Sequence, residues 1–121
     1  MKLRLSIGKS SFQVELKDTP TSKAILEKIP FTSTAQTWGD EVYFSTPASA
    51  ELEPDARQVV EPGTVCFWTQ GDAIALPFGR TPISTDDRPK LANACNIIGK
   101  IENFKALKSV KTGDKIKVEQ S

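Results

Sequence analysis

The chain has 121 residues, 38% of them hydrophobic and 26% charged, which is the usual length of one domain and excludes a disordered or fibrous structure. Sixteen basic against fifteen acidic residues leave a net charge of +1, too little for a general nucleic-acid binder or a membrane-surface protein. Histidine is absent, which removes imidazole-activated nucleophiles, a histidine general base and most zinc or non-haem iron sites.

Residues 2 to 7 and 11 to 16 alternate apolar with polar side chains around Gly8-Lys9-Ser10, the pattern of a β-hairpin with Leu3, Leu5, Ile7, Phe12, Val14 and Leu16 on one face. Lys2 and Arg4 interrupt the apolar residues, so this start reads as a strand rather than a signal peptide, and a cytoplasmic location is expected. Thr19-Pro20 offers an N-cap and a first-turn proline, and the spacing of Ala24, Ile25 and Ile29 predicts a helix over about 20 to 28. Phe31 to Gln36 reads as extended chain, followed by a glycine bend and a strand in Trp38-Gly39-Asp40-Glu41-Val42-Tyr43-Phe44. Residues 46 to 58 are polar and acidic, an exposed connection or edge strand. The strongest hairpin follows, Val65-Cys66-Phe67-Trp68 and Ala73-Ile74-Ala75-Leu76 around Thr69-Gln70-Gly71-Asp72. A loop from Phe78 to about Leu91 leads to a strand at Asn96-Ile97-Ile98-Gly99-Lys100-Ile101. A short helix near Phe104 to Lys108 and a strand from Lys115 to Glu119 end the chain. Many short strands without a βαβ rhythm predict one antiparallel barrel domain over residues 1 to 121.

Four segments carry a resemblance: Trp38 to Phe44, Pro62-Gly63 to Trp68, Phe78-Gly79-Arg80-Thr81-Pro82, and Asn96 to Ile101. In order and interval they resemble the small stand-alone cyclophilin-like barrel proteins of bacteria and archaea. The resemblance implies a closed antiparallel β-barrel of about eight strands with two short capping helices, the fold of the peptidyl-prolyl isomerases. It does not carry their activity, because function has to be argued from a site. In the isomerases an arginine stands five residues before a phenylalanine that begins a Phe-x-x-Gln-Gly motif. Phe67 to Gly71 copies the second half of that motif, but Pro62 stands where the arginine belongs, and the segment reads as a turn. Isomerase activity is therefore the disfavoured alternative.

The leading expectation is a module that binds a small molecule or an extended peptide in a groove, without chemistry, cofactor or metal. Its candidate residues are Trp38, Glu41, Tyr43, Phe78, Arg80, Thr81, Asn96 and Gly99, which pair aromatic or polar side chains with glycines and loops. Asp40 and Glu41 are adjacent on a strand and point to opposite faces, so they do not form a working carboxylate pair. Asn96 enters an apolar strand and needs partners from backbone or ligand. Cys66 and Cys95 lie in apolar runs and read as buried packing thiols in a reducing compartment. The acidic residues between 40 and 61 and the six lysines between 100 and 117 read as solvated edges. A third reading is an exposed edge that makes a homodimer; nucleic acid and membrane are not expected partners.

Overall fold

The alternation at the start of the chain does build a hairpin: β1 (Lys2–Ile7) and β2 (Ser10–Leu16) pair antiparallel, with their apolar side chains buried and most of their polar ones exposed. The structure is a computed structural model and describes residues 1–121. Helix α1 (Pro20–Leu26) begins where Ser22 donates its backbone N–H to the Thr19 hydroxyl at 3.0 Å, and it ends at Leu26 rather than 28. The remaining strands are β3 (Phe31–Thr34), β4 (Gln36–Thr37), β5 (Glu41–Ser45), β6 (Arg57–Val59), β7 (Thr64–Trp68), β8 (Ala73–Pro77), β9 (Lys90–Lys100) and β10 (Lys115–Gln120), with a 3₁₀ turn at Phe104–Ser109. No helix is long and apolar enough to cross a membrane.

The strand order is β3-β10-β1-β2-β9-β7-β8-β5-β4, with β6 paired to β9 off this path. Its two ends are one ribbon of chain, since only Ala35 separates β3 from β4. Ala35 is fully buried at this joint, donating to the Asp114 carbonyl at 2.8 Å and accepting from Gly113 N at 2.9 Å. Counting the ribbon once gives eight strands in a nearly closed antiparallel barrel, with β6 laid on its outside.

β9 begins at Lys90, whereas the sequence places residues up to about 91 in a loop and the strand at 96. Ala92-Asn93-Ala94 has no strand pattern of its own; this stretch is extended because β6 pairs with it, Arg57 opposite Cys95 and Val59 opposite Lys90. Tertiary pairing outweighs local propensity here. The expected helix near 104 is the 3₁₀ turn, too short for a regular helix.

Two apolar clusters divide the strands between them. The barrel interior is a cluster of 21 buried residues that includes Phe12, Phe44, Val65, Phe67, Ile74, Leu76 and Ile98. A cluster of five, Val60, Cys66, Ala75, Leu91 and Cys95, lies on the outer face of β7, β8 and β9, with Tyr43, Trp68 and Ile97 packed against it. β8 is buried at every position, which is why Ala73 to Pro77 shows no alternation in sequence.

Candidate functional site

The outer cluster is incompletely filled, and the gap is a cavity of about 310 Å³. Strand registry accounts for it. Tyr43, Ala75, Cys66 and Ile97 form a row across β5, β8, β7 and β9. Ala75 stands between larger neighbours in this row, and Ala73, two residues earlier, stands beside Trp68, so the cavity floor is low at β8. Trp68 from β7 and Leu91, Ala92 and Cys95 from β9 form one wall, and Trp38, Glu41 and Tyr43 form the other.

Each wall is held in place from behind. The Trp68 indole N–H donates to Asn93 Oδ1 at 3.2 Å, and its ring lies over Gly71, where a Cβ would come within 2.5 Å of the ring carbons. Gly71 thus serves the tryptophan, and the positive φ of this turn belongs to Asp72 at +48°. On the other wall the bend after Trp38 depends on Gly39, with φ +58° and Pro82 Cδ 2.8 Å from where a Cβ would stand. Asp40 N donates to the Arg80 carbonyl at 2.9 Å and Phe78 N to the Asp40 carbonyl at 2.8 Å, so the bend and the loop after β8 fix each other.

Glu41 is the one acidic side chain of the lining. It is 6% exposed, and its Oε1 has no hydrogen-bond partner. Burial among apolar walls pushes its carboxyl up to about 7 from an ordinary 4.5. Burial likewise raises the Cys95 thiol to about 12, with the nearby Glu41 adding to the effect, and holds Cys66 well above its usual range. Neither cysteine is a thiolate nucleophile near neutral pH.

Trp38, Glu41 and Tyr43 come together on this cavity, and the other five residues singled out in the sequence do not reach it. Asn96 faces the opposite way: its Nδ2 donates to Thr21 Oγ1 and the Glu51 carbonyl, each at 2.9 Å, and its Oδ1 accepts from Glu53 N at 2.7 Å. Gly99 permits close pairing of β9 with β2, since a Cβ there would meet the Glu15 carbonyl oxygen at 2.3 Å. Thr81 is buried as part of the loop's own bonding, donating its backbone N–H to the Ser84 hydroxyl oxygen at 2.9 Å and its own hydroxyl to the Lys90 carbonyl. Arg80 is exposed and lies 3.6 Å from Asp87, and Phe78 packs against the interior core. The expected convergence of Asn96 and Gly99 with the Trp38 bend is therefore corrected by strand alternation: Cys95, not Asn96, is the β9 side chain on this face.

Trp68, Ala73, Ala75, Leu91, Ala92 and Cys95 are lining residues that the sequence reading missed. The available signal was the unbroken apolar run in β7 and β8, which marks strands covered on both faces and hence a second apolar layer outside the barrel.

A family model described as Cyclophilin-like matches residues 1–119. Among solved structures, the solution structure of the hypothetical protein AF2241 from Archaeoglobus fulgidus is similar with a TM-score of 0.86 and 42% identity, over 100% of this chain and 95% of that chain. The structure of McbB in complex with tryptophan is similar with a TM-score of 0.67 and 12% identity, over 98% of this chain and 44% of that chain, a likeness of fold alone. No curated protein sequence matches the chain.

Proposed function

The chain belongs to the cyclophilin-like family, and on that premise we propose that it is a small-molecule-binding protein whose ligand fills the outer cavity beside Glu41. The observation that carries this reading is the buried, unpartnered Glu41 carboxyl in an otherwise apolar, aromatic lining. Leaving such a group without a partner costs stability, and a purely structural position is served better by an apolar side chain of similar volume. A site with apolar walls and one placed polar group is also the usual composition of a ligand pocket, and about 310 Å³ suits a small molecule better than an extended peptide.

Isomerase chemistry has little support in this cavity. Crossing the X-Pro barrier of about 18 to 20 kcal/mol calls for a donor aimed at the prolyl nitrogen, and no arginine lines the cavity.

The reading is tested by following the backbone and indole N–H resonances against a library of small molecules. Ligands are expected to shift the Trp38 and Trp68 indoles, and Ala75→Leu, which fills the floor, is expected to abolish those shifts while the fold persists. Ligands that bind equally well to Ala75→Leu would place the site elsewhere.

A further inference from the structure

Resting on the reading of this cavity as a ligand site, we propose that its ligand is a small organic amine bound as the ammonium, with the cation on the Glu41 carboxylate and the hydrocarbon body against Trp38, Tyr43 and Trp68. A carboxylate only accepts hydrogen bonds, so its missing partner is a donor, and a cationic donor also neutralises the buried charge. The rings around it favour the same class, because the faces of tryptophan and tyrosine attract cations. No lysine or arginine lines the cavity, so no side chain of the protein competes for the carboxylate, and an anionic ligand would meet only repulsion from it.

The groups around Glu41 leave it as the switch. Its own strand contributes Tyr43, β9 contributes Cys95, β7 contributes Cys66 behind the lining, and β8 presents alanines and Pro77. Asp40 turns away, with its carboxyl beside Gly79. In the neighbouring loop Arg80 is engaged with Asp87 and Arg88 with Asp86. Both thiols stay protonated to high pH, whereas Glu41, raised to about 7, gains its charge between pH 6 and 8. Amine binding needs the charged form, so affinity rises with pH and levels off above about 7.

The test compares benzylammonium, benzyl alcohol and benzoate on the full chain and on Glu41→Gln, read from the Trp38 and Trp68 indole resonances between pH 5.5 and 8. Benzylammonium is expected to bind about tenfold or more tighter than benzyl alcohol at pH 8, and to lose about tenfold per pH unit well below 7 as one proton competes for the carboxyl. In Glu41→Gln the preference and the pH dependence are both expected to vanish while the alcohol still binds. Equal or tighter binding of the alcohol or of benzoate, or an amine preference that survives Glu41→Gln, would overturn the ligand class and leave the cavity as a site. Failure of all three compounds to move either indole would overturn the site itself.

Discussion

Two polar side chains, Asn96 and Glu41, are buried on opposite faces of the same barrel wall, and the wall treats them differently. Asn96, on the interior side, has both amide protons and its oxygen engaged by Thr21, Glu51 and Glu53, so the amide ties α1 and the segment before β6 onto the barrel. Glu41, on the outer side, has an oxygen with no partner and a cavity in front of it. A polar group whose every bond is made within the chain serves the fold. One that lines a cavity and finds no partner within the chain costs the fold something and leaves its carboxyl to a ligand.

The widest contrast expected from this difference is between truncations on the two faces. Phe67→Ala removes a fully buried interior ring and should cost about 3 to 5 kcal/mol. Trp38→Ala removes a half-buried ring that borders the cavity, and should cost less than about 1.5 kcal/mol because little apolar area is lost from the core. Denaturant melts of the two variants measure both. Equal losses would place Trp38 among the packing residues.

A second contrast is in the response to pH. The folded protein holds Glu41 at about 7 against an ordinary 4.5, so folding favours the protonated carboxyl. Its contribution is fully present below pH 4.5 and is lost as pH rises through 7, a change of about 3 kcal/mol. Glu41→Gln should therefore be more stable than the parent by about that amount at pH 8, with the advantage shrinking below 7 and gone near 4.5. Melts across this range check it, and a substitution that destabilised the protein at pH 8 would contradict an unpartnered buried carboxylate.

Asn96→Ala is expected to have a smaller effect of opposite sign. It leaves the Glu51 carbonyl and the Glu53 N–H without their partner, a loss of about 1 to 3 kcal/mol at every pH from 5 to 8. Ligand-induced shifts of the Trp38 and Trp68 indoles should be unchanged in this variant. A loss of those shifts in the still-folded protein would join Asn96 to the site.

Much of the barrel is legible in the sequence because half-buried strands write their burial as alternation, as in Leu3, Leu5 and Ile7 or Phe12, Val14 and Leu16. Thr19-Pro20 likewise announces α1 through capping chemistry. The start of β9 is not legible, since Ala92-Asn93-Ala94 is extended only through its pairing with β6. Trp38, Glu41 and Tyr43 stand close together in one aromatic-rich strand segment, and the structure places them on one cavity. The opposite wall comes from β7, β8 and β9, and only the register of four strands brings Trp68 and Cys95 across from Glu41. Asn96 stands out in the sequence as a polar residue in an apolar strand. Which face it takes depends on the bulge and register of β7 with β9, and no local pattern encodes that.

Whether Glu41 waits for a ligand is tested most directly by titrating its side-chain carboxyl in the free protein, followed by its carbon resonance with Glu41→Gln to assign the signal. A midpoint near 7 is expected, the value of a carboxyl buried without a partner in an apolar cavity. A midpoint near the ordinary 4.5 would mean that the group is hydrated or already paired, and the case for a ligand at this carboxyl would fall.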